Sequence, residues 1–162
     1  MCPKTVNPPA VALDAVDLKI LRILQQDADI SMQELADKVG LSHTPCWRRI
    51  NRMKDSGVIL GKATIIDGEK VNKGVNALCT VVLEHHHEEI LEAFEKAVQD
   101  CPEIVECFLM TGSRDYLLRV AVSSLSEYEQ FMKRKLLHLP GVDTVDTSFA
   151  LKTVKITTAL PI

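Results

Sequence analysis

The chain has 162 residues, 46% of them hydrophobic and 25% charged, with a net charge of −3. That length allows one domain or two small ones, each with its own core, and that balance excludes a polycation and a disordered chain. No apolar run approaches the length of a membrane span. The first ten residues, MCPKTVNPPA, carry one lysine and no apolar stretch, so they do not read as a signal peptide. Residues 1–12 are expected to form a disordered arm. Five cysteines without a CxxC pair, together with the absence of an export signal, point to a reduced, cytoplasmic setting. The charge is unevenly spread. Residues 1–68 carry nine basic and eight acidic side chains, while residues 69–162 carry ten and fourteen.

Leu13 to Asp27 is the first predicted helix. Leu13, Val16, Ile20, Leu21 and Leu24 line one side of it, and Asp14 and Asp17 suit the positive end of its dipole. Met32 to Val39 is the second, with Ser31 and Glu34 spaced as a capping box and Gly40 as its stop. Ser42 can cap a third helix, from His43 to about Ser56, closed by Gly57. Pro45 lies in its first turn, where a missing N–H costs little. Two short helices joined by a Gly-containing turn form a helix-turn-helix pattern.

The third helix concentrates positive charge. Arg48, Arg49, Arg52, Lys54 and Lys62 face a single acid, Asp55, between Ser42 and Lys62. Trp47, Ile50 and Met53 recur three apart and are expected to form its buried stripe. The three arginines then project outward. Ser42, His43 and Thr44 sit at the end of such a helix that reaches base edges. The DNA-binding set is therefore Ser42, His43, Thr44, Arg48, Arg49 and Arg52, the arginines contacting phosphates or bases. A solvated basic helix face is the plainer alternative. The capped preceding helix and the Gly turn favour the DNA-binding reading.

After Gly57, the β-branched run VILGKATII reads as a strand leaving this head, which spans residues 13–66. Residues 67–74, DGEKVNKG, are the expected linker. Residues 75–162 have a different rhythm. Val75–Glu84, Ile104–Met110, Asp115–Val122 and Val142–Leu151 read as strands. Glu88–Asp100 and Ser126–Leu137 read as helices, the second with Ser126 and Glu129 spaced as a capping box. A further edge strand is expected at Val154–Thr158. The order β-α-β-β-α-β is ferredoxin-like. Apolar residues on both faces of its strands suggest that a second copy covers the open face, giving a twofold dimer.

Four segments carry a resemblance: LDAVDLKILRILQQD, GLSHTPCWRRINRM, MTGSRDYLLRV and LLHLPGVDTVDTSFALKTVK. They resemble the Lrp/AsnC, or feast/famine, transcription regulators from about Leu13 to Lys155. The ending SFALKTVKITTALPI looks like the branch of the cysteine-responsive regulator. The resemblance implies an α+β fold, a winged helix-turn-helix followed by a ferredoxin-like effector-binding domain. It implies dimers that assemble into octamers, and a small amino acid bound between subunits beside the turn at Thr111 to Asp115. The effector set is then Met110, Thr111, Gly112, Ser113, Arg114, Asp115, Thr147 and Ser148. Ser113 and Arg114 depart from the family pattern, which bears on the identity of the effector. A glycine there lets backbone N–H groups approach a carboxylate, and Asp115 can accept from an ammonium group. Spacing alone leaves Gly112 a hairpin glycine and Asp115 a turn acid.

Other clusters read as structural. His85, His86 and His87 lack a partner at metal-ligand spacing and fall in a solvated loop. Cys101 and Cys107 read as buried thiols. Cys46 reads as a packing residue, although neighbouring arginines favour a lowered pKa. No nucleophile–base–acid grouping or phosphate loop occurs. The sequence thus describes no enzyme and no cofactor. It describes a regulator of double-stranded DNA that responds to an amino acid, or an architectural DNA binder acting by oligomerisation without an effector.

Overall fold

Two separate hydrophobic cores divide the chain. The computed structural model describes residues 11–162; most of the expected N-terminal arm lies outside the described residues. The first unit comprises residues up to Thr64 together with Lys155–Ile162, and the second is Ile65–Val154.

In the first unit, α1 (Ala15–Gln26), α2 (Met32–Val39) and α3 (His43–Asp55) form a three-helix head. Ile20, Leu21, Leu35, Ala36, Val39, Cys46, Ile50 and Met53 are its buried core. Asp14 caps α1 and makes a reciprocal box with Asp17. This gives the paired acids a specific task beyond the helix dipole. Ser31 Oγ accepts from the Glu34 N–H at 3.2 Å, but the Glu34 carboxylate pairs with Lys38 at 2.8 Å. Only the serine half of that expected box is made. Gly40 ends α2 with φ +74°, a left-handed conformation that favours glycine. Ser42 stands at the cap of α3 without a side-chain cap bond.

The stretch after Gly57 corrects a strand expectation. Residues 58–66 are irregular, and only their first part packs, through Val58 and Ile59. A β-pattern becomes a strand only where another backbone takes its N–H and C=O groups. The Ile59 N–H instead donates to the Met53 carbonyl at 3.0 Å. The edge strand expected at Val154–Thr158 is likewise absent. Lys155–Ile162 turns to the head, where the Leu160 N–H donates to Gln25 Oε1 at 2.6 Å. Gln25 Nε2 returns a bond to the Leu160 carbonyl at 3.2 Å. The second compact unit is Ile65–Val154, within which the ferredoxin-like elements run from Val75 to Phe149.

In the second unit, β1 (Val75–Leu83), α4 (Glu88–Gln99), β2 (Ile104–Leu109), β3 (Tyr116–Val122), α5 (Leu125–Arg134) and β4 (Val142–Phe149) follow in order, with a 3-10 turn at Leu136–His138. The sheet order is β2-β3-β1-β4, and every pairing is antiparallel. This is the expected ferredoxin-like arrangement. Ala77, Cys79, Val81 and Leu83 alternate with Tyr116, Leu118, Val120 and Val122 to build one apolar face, on which Phe94, Val98, Tyr128 and Phe131 pack. The cap of α5 is Ser124, which accepts from the Glu127 N–H. The expected Ser126–Glu129 box is thus out of step by two residues. Strand register puts Leu78, Leu117 and Phe108 on the opposite face. Leu78 and Phe108 are exposed there.

Candidate nucleic-acid and effector sites

The core side of α3 is Cys46, Ile50 and Met53. Trp47 does not belong to it; its side chain is 53% exposed. A three-residue step from Trp47 also fits the helical period, which is why spacing alone selected it. Burial raises the pKa of the Cys46 thiol, with Arg49 acting weakly in the other direction. Desolvation therefore outweighs the arginines here, against the lowered value their proximity suggested.

The three arginines part company. Arg48 is exposed, with Ser42, His43 and Thr44, at the N-terminal half of the helix. Arg49 and Arg52 turn toward the start of α1 instead. Arg49 Nη1 donates to Asp14 Oδ2 at 2.6 Å and to Asp17 Oδ1 at 2.8 Å. Arg52 Nη2 donates to Asp17 Oδ2. Asp17 is fully buried, and an unpaired charge there would be costly. The two guanidiniums, with the Asp14 N–H at 3.1 Å, occupy both its oxygens. Bonds from the Asp17 N–H and then from Arg49 hold the Asp14 carboxyl below its usual range. All three arginines lie off the buried stripe, as expected, but Arg49 and Arg52 are tied to Asp14 and Asp17. The signal was present in the Asp14–Asp17 spacing, which is a capping box before it is a dipole effect.

The second site centres on the β2–β3 connection. The Met110 N–H donates to the Asp115 carbonyl at 2.8 Å, closing the hairpin. Met110, Thr111, Gly112 and Ser113 are exposed. Gly112 has φ +110° and open space where a Cβ would lie. Backbone conformation, and not crowding, is what asks for glycine. Asp115 is anchored within its own chain. Its Oδ2 accepts from the Leu83 N–H at 2.7 Å, and its Oδ1 meets His86 Nε2 at 2.8 Å. These contacts, the Leu83 N–H first, hold its carboxyl below the ordinary range. His86 therefore has a partner and is not merely part of a solvated loop. Arg114 pairs with Asp146 on β4.

Thr147 and Ser148 face opposite ways, as neighbours on a strand must. Thr147 Oγ1 bonds the Tyr128 hydroxyl, whose oxygen also lies 3.3 Å from Cys79 Sγ. Its hydroxyl is engaged beneath the sheet, away from the exposed Ser148. The structure thus brings residues 110–115 together on one turn and ties it to β4 through the Arg114–Asp146 pair; Ser148 lies opposite Leu78 on the open face, and Thr147 points to the other side.

A three-helix head with arginines gathered on α3 and a ferredoxin-like domain with an exposed glycine turn are the architecture of a ligand-sensing DNA-binding regulator. The winged helix-turn-helix DNA-binding profile matches residues 13–59, and the Lrp/AsnC ligand binding domain profile matches residues 76–160. The chain belongs to the Lrp/AsnC family of transcription regulators. It is 41% identical over 150 residues to the DNA-binding transcriptional activator DecR of Escherichia coli K12, covering 93% of this chain and 99% of that one. It is 38% identical to the leucine-responsive regulatory protein of Haemophilus influenzae, over 92% of this chain and 90% of the relative. A Neisseria meningitidis transcriptional regulator, crystallised as an L-Met complex, superposes with a TM-score of 0.86 at 35% identity, covering 93% and 97% of the two chains. These domains and relatives are those of transcription regulators, not of enzymes.

Proposed function

We propose that this regulator reads double-stranded DNA with the exposed N-terminal half of α3 and couples that reading to a small amino acid bound at the β2–β3 turn. The carrying observation is the union, in one chain, of an exposed recognition edge and the Gly112–Asp115 turn on a ligand-binding sheet. Ser42, His43 and Thr44 approach base edges, and Arg48 supplies the outermost guanidinium. Arg49 and Arg52, tied to Asp14 and Asp17, hold α3 against α1. The effector contacts fall to Met110–Asp115 and Ser148, with Thr147 supporting them from beneath.

An amino acid is the effector class in keeping with the Neisseria relative solved with L-Met and the relative named as leucine-responsive. The ending SFALKTVKITTALPI supports placement in the cysteine-responsive branch. The exposed Leu78 and Phe108 on the open sheet face favour a homodimer, which further assembles into octamers as the family resemblance implies. No described helix is long and apolar enough to cross a membrane, in keeping with action in the cytoplasm. A ligand shifts the balance of assemblies only through unequal affinity for them.

The test is a thermal-shift screen against the twenty amino acids, with DNA anisotropy repeated on each hit. A true effector at 100 times its Kd adds about 2.7 kcal/mol, moving the midpoint by roughly 2–4 °C per kcal/mol. It also changes DNA affinity or oligomer size. Silence across the panel overturns the sensor reading in favour of an effector-independent architectural binder.

A further inference from the structure

The outward side of α3 carries one group that phosphate binding does not explain. Trp47 is the chain's single tryptophan, and it leaves 53% of its surface in water. At about 100° per residue, Thr44, Arg48 and Asn51 cluster opposite the buried Cys46, Ile50 and Met53. Trp47 follows Thr44 by three positions and precedes Asn51 by four, so it adjoins both on the helix surface. Arg49 and Arg52 lie on the other flank, tied to Asp14 and Asp17. Besides His43 at its start, the edge left for a ligand is therefore a threonine, an arginine, an amide and an indole.

A solvated helix face gains nothing from an exposed indole, which is among the largest apolar surfaces a side chain offers. A phosphate gains nothing from it either. The apolar feature of the major groove is the thymine C5-methyl, and apolar side chains read it by contact. The indole stands in the N-terminal half of the helix, the half that meets base edges in helix-turn-helix complexes. We propose that Trp47 is a base-reading residue that packs against a thymine C5-methyl in each half-site. This inference rests on the DNA-binding reading above and adds the residue and the base that set specificity.

The full-length protein first selects a duplex from a random-sequence pool. Each thymine is then replaced singly by deoxyuridine, which removes the methyl and leaves the pairing edge intact. Wild-type affinity is expected to fall about fourfold at the contacted position, the value of burying one methylene-sized group. Trp47→Ala is expected to bind both duplexes alike at that position while melting as the wild type does. Trp47→Phe keeps part of the thymine preference. As the only indole, Trp47 also reports directly, and its emission changes on binding the selected duplex. The proposal is overturned if uracil is tolerated everywhere, or if Trp47→Ala keeps the full thymine preference. A wild-type protein that binds no DNA would instead refute the DNA-binding reading itself.

Discussion

Asp17 shows how one residue redistributes the work of its neighbours. It is a fully buried carboxylate, tolerable because Arg49 and Arg52 meet its two oxygens. Breaking a fully buried pair costs about 3–5 kcal/mol because a buried charge is left unpaired; Asp17→Ala leaves behind only partly exposed arginines and should cost less than that, read as a lowered melting temperature. The same geometry separates the arginines by role. Arg48→Ala should lower the slope of log affinity against log salt by about 1 and leave the melting temperature unchanged. Arg49→Ala should do the reverse, lowering the melting temperature with the slope preserved. Anisotropy titrations over a salt series, with thermal melts of the same variants, distinguish the two. A slope reduced by Arg49→Ala would make that side chain a phosphate contact after all.

At the scale of elements, the start of α5 carries a defined acid sensitivity. The Lys73 ammonium, at 2.6 Å, and then Ser123 hold the Glu127 carboxyl down to about 2, against an ordinary 4.5. Between these values the unfolded chain binds more protons than the folded one, so stability rises with pH across the window. It is lost as pH falls toward about 2. Lys73→Met should flatten this slope, as read by urea unfolding at several acidic pH values. Helices and strands of the two cores were legible in the sequence because periodicity records which face is buried, as Phe94 and Val98 on α4 illustrate. Capping was legible only to within two residues, since Ser124 and Ser126 offer the same chemistry and backbone geometry chooses between them. The strand expected at 58–66 failed because pairing depends on a partner that one chain's pattern does not describe. At the candidate effector site, Met110–Asp115 was legible from local spacing only as a turn; its link to an effector came from the family resemblance. The partners of Asp115 and Thr147 were not, because Leu83, His86 and Tyr128 reach them from the end of β1, the loop after it and α5, far away in sequence.

For the whole molecule, the open face of the sheet is the surface on which the proposed dimer depends. Leu78, Leu117 and Phe108 share that face with the Arg119–Glu106 pair, at 2.9 Å. An exposed apolar surface with an internally satisfied charge pair is well suited to a second copy. In the proposed dimer, Phe108→Glu places an unpaired charge at the interface and should shift sedimentation toward the monomer. Its DNA affinity should fall because two half-sites are no longer engaged together.

The separate cores have one more consequence. Cys46 is sealed in the helical head and Cys79 beneath the sheet, and burial raises the pKa of both thiols. It is the thiolate that attacks an alkylating reagent, so each must wait for its own core to open. These two of the described buried thiols thus serve as native clocks, one in each core. The rate at which Cys46 is consumed times the breathing of the DNA-reading half, and that of Cys79 times the sensing half. DNA or an effector that steadies one half would slow its clock by a factor that can be compared directly with the other.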